Sequence, residues 1–381
     1  MTTPYKGATV AQFYVAETVA GETPLNPSWK PLRTVSGLPS VTRDSLIANE
    51  LNSSREVSAV RAGNEQVAGE YAIELSQSSQ DDLLAAAMTS DWVAGSTVAS
   101  QAITVDATAK TFSGAGFTAE VGDLIYFPSL TGNNAKPFMV TAATPTLITG
   151  AAIQYTLADE TEDSTLVIAD TLSTGDLCKS ISILTWLKGR CGTADAWLLT
   201  KGVEVSGFTI ELAVNAMVTG SFPMIGRSQE ILTGLPSGST FVTNFSADPF
   251  ASVDVSAFDG SAPLKLVDSF TITNDNETSS QFELGNRGVA FIERGRANNT
   301  FSLAGKLYDL AMVEKFLDET DVTLHAMLIG VSGAMSFTLN DSRITSATPE
   351  LGGPESVTLS VSGQAVGNSA KSSIVIQRLV F

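Results

Sequence analysis

Apolar and polar residues alternate with a period of two through much of this chain, and where the alternation stops, short runs with helical spacing take over. In the stretch 69–75, Tyr71, Ile73 and Leu75 point one way and Glu70, Ala72 and Glu74 the other, which predicts a half-buried strand with an acidic outer face. Ser79 then offers an N-cap. Asp81 and Asp82 fall in the first turn, where carboxylates favour the positive end of the helix dipole. Leu83, Leu84, Ala87 and Met88 make a stripe suited to lying on a sheet, in a helix that should end before Gly95. A similar passage recurs at 300–319, with Tyr308, Leu310, Ala311, Val313, Phe316 and Leu317 as its apolar positions and Lys315 late in the helix.

The recurrence has an offset, and the offset changes. Setting Leu83 on Leu310 gives 310 − 83 = 227, whereas Val214–Gly220 matches Val357–Gly363 at 357 − 214 = 143. The difference, 227 − 143 = 84, is about one small all-β domain placed inside the first of two copies. Residues 95–180 have the texture for it: many Thr, Ala and Gly, apolar runs at 101–106, 123–128, 138–142, 152–157 and 165–169, and turn signals every eight to twelve residues. Further β runs are expected at 181–187, 196–199, 203–213 and 214–222, and again at 322–329, 334–339, 342–347, 356–366 and 373–380. The expected organisation is an arm over 1–39, a first domain from 40–94 plus 181–225, an inserted domain over 95–180, a linker over 226–262 and a second domain over 263–381. The arm is punctuated by Pro24, Pro27, Pro31 and Pro39. It holds one apolar run, Val10–Val15, suited to an edge strand for a neighbour or to a tether that bridges to another copy.

Composition narrows the function. With 43% hydrophobic residues the domains can bury real cores, and no run of about eighteen apolar residues or basic-apolar leader predicts membrane insertion or export. Lys and Arg number 22 against 40 Asp and Glu, a formal charge of −18. Such a surface repels phosphate, which disfavours gripping nucleic acid but suits letting it slide past. Cys178 and Cys191, with one histidine in the chain, cannot make an ordinary structural zinc site, and two buried free thiols are expected in a reducing cytosol.

Nothing in the chain singles out a catalyst. His325 sits in an alternating strand run and reads as structural. There is no nucleophile elbow and no phosphate-binding glycine loop. The cluster Asp159, Glu160, Glu162 and Asp163 lacks the spacing of a calcium loop and reads as a solvated acidic turn. Trp29, Trp92, Trp186 and Trp197 read as core or interface anchors rather than a sugar-stacking platform. No catalytic, cofactor or metal residues are therefore assigned, and no cofactor is expected.

Several stretches resemble the major tail tube proteins of long, noncontractile-tailed bacteriophages. These are Phe13–Pro24, Trp29–Arg33, Leu46–Leu51 with Arg55, and, for an inserted β domain found in that family, Phe117–Ile125 with Asn133 and Asn134. Gly285–Gly295 and Gly305–Tyr308 are similar to its second tube domain. The resemblance implies a mainly β fold with a few short helices: two tail-tube-like β-sandwich domains, each flanked by a helix, plus one inserted all-β domain. Related tubes usually assemble as hexamers, so a subunit with two tube domains implies stacked trimeric, pseudo-sixfold rings closing a barrel around an acidic channel that conducts DNA. Glu70, Glu74 and Glu211, with Ser302, Thr358 and Ser360 in the second copy, are the candidate channel-lining residues. The implied partners are further copies of the chain and the tail tip, tape measure and tail terminator proteins, in a virion tail assembled in the bacterial host cytoplasm. The inserted domain should project from the outer wall. The runner-up reading makes it a virion-surface adhesin or carbohydrate-binding module, with a hydrolase a more distant third.

Overall fold

The computed structural model describes residues 4–50, 56–150, 155–189, 191, 193–243, 247–354, 356–367 and 371–381; of the residues quoted above, Leu51 and Arg55 lie outside these, as does part of the expected 152–157 run. One antiparallel sheet runs through both halves of the chain. Its order is Ser40–Ile47, Val60–Glu74, Thr219–Gly226, Gly207–Ala213, Val267–Asp275, Asn298–Lys306, Thr358–Gln364 and the C-terminal part of Gly333–Glu350. The front half covers this sheet with a second one, ordered Ser28–Pro31, Val10–Ala16, Ile181–Leu187, Ala196–Val205 and Ser228–Leu232. The back half does so with Val255–Asp259, Val322–Ile329, the first part of Gly333–Glu350, Ile374–Val380 and Asp170–Ser173.

Elements recur in the same order in the two halves: an outer strand, a hairpin of the shared sheet, a short helix, two outer strands of which the second crosses into the shared sheet, and a closing pair. Alternation dictates which residues meet between the layers. Tyr71, Ile73, Phe208, Ile210, Phe222, Phe270, Ile272, Phe301 and Val361 face inward from the shared sheet, and Ile183, Phe337 and Ile376 face them from the outer ones. Burying each such side chain contributes about 1.5–3 kcal/mol, so the two halves are joined by one continuous core.

The helices α1 (Asp81–Ala87) and α2 (Ala311–Leu317) differ in how the fold uses them. α1 is buried along Leu83–Ala87, and Asp82 accepts from Tyr14 Oη at 2.9 Å and pairs with Lys30. Ser79 does not cap it: Gln80 takes that position without a side-chain cap bond, and the Ser79 hydroxyl is engaged with Ser76. In α2 only Met312 is buried. Tyr308 and Leu310 precede the helix, and both are exposed together with Leu317, contrary to the sequence expectation, because no layer among the described residues covers that side.

Two other expectations change. The arm does not hang as a tether: Val10–Ala16 is paired on both sides, Trp29 is fully buried, and its Nε1 donates to Ser239 Oγ at 3.0 Å. The thiols of Cys178 and Cys191 are free but exposed, since both fall in connections outside the layers. Of the region expected as linker, Ser228–Leu232 and Val255–Asp259 are strands of the two outer sheets.

Between α1 and the 181–187 strand, six strands from Thr97–Asp106 to Glu160–Ile168 close a barrel. Its interior is filled by stacked Phe112, Phe127 and Phe138, with centroids 4.5 and 5.2 Å from that of Phe112. At its neck a Cβ on Gly95 would lie 1.9 Å from the Ile168 carbonyl oxygen, so only glycine lets the two connections run side by side. The barrel rests on the outside of the back half's outer sheet, where Leu124, Met139 and Ala169 meet Phe258, Met327, Ala334 and Leu379. Arg378 ties this junction together, pairing with Asp81 and Asp170 and lying 4.3 Å from the Trp92 ring centroid.

The front and back halves are also linked by the Arg294–Glu204 ion pair at 2.7 Å, with side chains 15% and 9% exposed. Arg294 donates further to the carbonyls of Leu177 and Lys179. Burial pushes the Glu204 carboxyl above its ordinary range, and the guanidinium opposes that shift. Removing one partner strands a buried charge. Arg294→Met should therefore cost about 3 kcal/mol in a denaturant titration, and the Arg294→Met, Glu204→Met double variant should cost less than the single one.

His325 is buried and shares a 2.9 Å hydrogen bond with Thr338 Oγ1; burial, helped by the Lys371 ammonium, pushes its pKa down to about 4. Below about pH 6.5 the unfolded chain takes up a proton on this ring that the folded chain refuses, so its contribution to stability is complete above that pH and is lost as pH falls toward 4. The loss should reach about 3 kcal/mol. Asp81, Asp123 and Glu204, raised by burial, act in the opposite direction in both proteins. The difference between the native chain and His325→Gln in denaturant midpoints from pH 7 to 4 isolates the histidine, and the variant should show the shallower decline.

Candidate functional site

The shared sheet has one face in the core and one without cover, and the residues of the uncovered face form continuous rows across the strands. One row runs Glu74, Thr219, Glu211, Thr271, Ser302, Ser362 and Ser346, each paired with the next. The adjacent one runs Ala72, Ser221, Thr209, Thr273, Thr300 and Gln364, with Thr209 and Thr273 hydroxyls 3.4 Å apart. On the other side of the first row lie Ala213, Ser269, Ala304, Ser360 and Thr348. Across these rows no valine, leucine, isoleucine or aromatic side chain appears.

The reason is the pleat. Each strand that buries Phe208, Ile210 and Leu212, or Phe270 and Ile272, must present its intervening residues on the opposite side. Hydroxyl-bearing β-branched threonine suits that position, being a good strand former that stays wet.

All six residues named from the sequence fall on this one face. Glu70 is paired with Pro223, Glu74 with Thr219, and Glu211 with both Thr219 and Thr271. Ser302 is paired with Thr271 and Ser362, Ser360 with Ala304 and Thr348, and Thr358 with Lys306 and Glu350. Thr358 is half-buried and the others are exposed. Sequence reasoning overlooked most of the face, including Thr209, Ser221, Thr271, Thr273 and Thr300 and the charges of Asp275, Lys306 and Glu350. The period-two pattern of 207–213 and 267–275 carried the signal, since each apolar position there marks a polar one beside it. Carboxylates outnumber the cations named on the face: Lys306 is answered by Asp268 at 3.6 Å, and Arg343, paired with Gln364 at the end of the second row, by Asp321 at 2.8 Å.

The histidine lies in the back outer sheet, and among the described residues no group of three His, Cys, Asp or Glu side chains is placed to hold a metal ion. In the inserted barrel Asp159 and Glu160 accept from the backbone amides of Ala107 and Thr131, so these members of the acidic cluster are occupied in holding turns. The tryptophans are structural: Trp186 stacks on Trp197 at 4.7 Å, and Trp92 donates to the Asp81 carbonyl. No helix among the described residues is long and apolar enough to cross a membrane.

No curated protein matches the chain. A family profile described as Phage tail tube protein matches residues 7–365, which spans both halves of the shared sheet and the inserted barrel. The chain accordingly belongs to the phage tail tube protein family, and its uncovered polar sheet face is the surface of a virion tail component built from many subunits.

Proposed function

We propose that three copies close into a ring whose inner wall is the polar face, and that stacked rings form the channel through which DNA leaves the virion. The carrying observation is the direction of the join inside the chain. The front half contributes strands in the order 40–47, 60–74, 219–226, 207–213, and the back half repeats that order with 267–275, 298–306, 358–364 and the end of 333–350. The last strand of one half is thus paired with the first of the next, over 207–213 and 267–275. That join is head to tail, and it leaves the same two kinds of edge free at the ends: 343–350 on one side and the 35–47 segment on the other. A heterologous contact of this kind gives a ring where its rotation closes and an open filament where it does not. Closure removes both open edges, which otherwise invite aggregation.

The strand count favours three copies. At about 4.8 Å per strand, two chains of eight strands would give a barrel roughly 24 Å across from backbone to backbone before tilt, too narrow for a duplex once side chains fill it. Three give about 37 Å, which leaves room for the duplex and water. The domain division is two tube domains built on 40–94 with 181–225 and on 263–381, with the strands 10–16 and 228–232 completing the first and 170–173 and 255–259 the second, and a decoration inserted within 95–180. The barrel rests on the outer sheet, the side away from the polar face, where it leaves channel and stacking surfaces clear. Glu70, Glu74, Glu211, Ser302, Thr358 and Ser360 line the lumen. The carboxylates there repel phosphate and the hydroxyls carry no charge to counter that repulsion, so DNA passes without specific binding. Assembly takes place in the host cytoplasm, with tail tip, tape measure and tail terminator proteins as partners. No step requires an enzyme.

Electron microscopy and sedimentation of the purified chain test this reading: rings with six lobes and the mass of three chains are expected, and a stable monomer or a two-fold dimer would refute it. Reversing the lumen charge with Glu70→Lys, Glu74→Lys and Glu211→Lys should leave ring formation intact. The variant tubes should then retain duplex DNA at low salt and release it as salt rises, whereas native tubes retain none.

A further inference from the structure

The two hairpins of the shared sheet extend beyond their bases differently. In the back half the hairpin Ser279–Phe282 with Val289–Glu293 forms a separate small sheet that folds across the front half. There the Arg287 carbonyl accepts from the Glu65 amide at 2.9 Å, and Asn276 Nδ2 donates to the Ala87 carbonyl at 2.7 Å. Val289 and Ile292 are buried by this fold, but Phe282, Leu284 and Phe291 on the same hairpin remain exposed. The front hairpin, Ser40–Ile47 with the start of Val60–Glu74, touches the back hairpin near its base, at Glu65, and its far end is exposed. Leu46, Ile47, Val57 and Val60 are 55–64% exposed at its end.

Ile73 and Phe301 hold the same place in their halves, paired with Gly220 and Gly363. The offset, 301 − 73 = 228, sets Val60–Glu65 on Gly288–Glu293. The site that the back hairpin occupies on the front half, at Glu65, therefore corresponds to Glu293 on the back hairpin itself. Repeating the step that carries the front half to the back half brings the next chain's front hairpin onto this chain's back hairpin. Each exposed apolar cluster then finds the other.

We propose that, within a ring, the front hairpin of each chain lies on the back hairpin of a second copy, burying Leu46, Val57 and Val60 against Phe282, Leu284 and Phe291. This rests on the ring reading above and adds to it a contact that sheet pairing alone does not require. A closed circle of overlapping hairpins, alternately within and between chains, results.

The test uses full chains in a Cys178→Ser, Cys191→Ser background, one carrying Val57→Cys and the other Phe291→Cys. They are mixed, assembled and joined by a short bis-maleimide, and the linked peptides are identified by mass spectrometry. A 57–291 link between the two chains, present in isolated single rings, is expected. Links of 57 to 57 alone, a 57–291 link confined to stacked tubes, or rings with neither would overturn the hairpin contact and leave the ring reading standing. Absence of rings from the unsubstituted chain would remove both. Independently, Leu46→Ser with Val60→Ser should reduce ring yield at least tenfold while the isolated chain melts unchanged, and an unchanged yield would overturn the proposal.

Discussion

Seven cross-strand pairs between 207–213 and 267–275 join the two halves of this protein, and the rest of the structure depends on that seam. Backbone amides and carbonyls at a sheet edge must be paired, hydrated or covered. Pairing the end of one half with the beginning of the other satisfies one edge on each and leaves their opposites open. A single choice of direction therefore sets the core, the polar face and the surfaces left for other copies.

The seam does not act alone. Phe208 on one side of it lies 6.5 Å from Phe337 of the back outer sheet, and the Arg294–Glu204 pair bridges the halves from another direction. A buried ion pair is weak evidence of net stability, since hydrophobic replacements often match it, but it specifies geometry because neither charge tolerates another arrangement. Arg378 does the same where α1, the exit of the inserted barrel and the last strand converge. The relative placement of the parts is held by directional contacts superimposed on a non-directional core. A subunit that must repeat along a tube benefits from that rigidity.

The two short helices show how far local pattern reaches. Both were legible as strand followed by helix, and both exist. The apolar stripe of α1 is buried because the 196–205 and 207–213 strands pack against it, while Tyr14 and Lys30 of the arm and Arg378 of the last strand hold its first turn. In α2 the residues Tyr308, Leu310 and Leu317 have comparable hydropathy and remain exposed, because no layer among the described residues covers them. The arm shows the converse: its prolines and single apolar run left open an edge strand or a tether, and Val10–Ala16 found one partner nearby at Ser28–Pro31 and one far away in sequence at Ile181–Leu187. Ser79 was a reasonable cap by type and position, but its hydroxyl found Ser76 closer.

Alternation along the chain determined that strands would form near 69–75, 203–213, 322–329 and 373–380, which residues of 69–75 would be buried, and that a small all-β unit interrupts the first half. Those properties are local, set by the pleat and by turn residues within a few positions. Only the tertiary structure decided that Glu74, Glu211 and Ser302 share a row, that the inserted barrel rests on the back outer sheet, and that Cys178 and Cys191 are exposed. Such facts depend on which strand lies beside which, and hydrogen-bonded neighbours in a sheet are chosen by packing among residues hundreds of positions apart, where the period of any one strand carries no information.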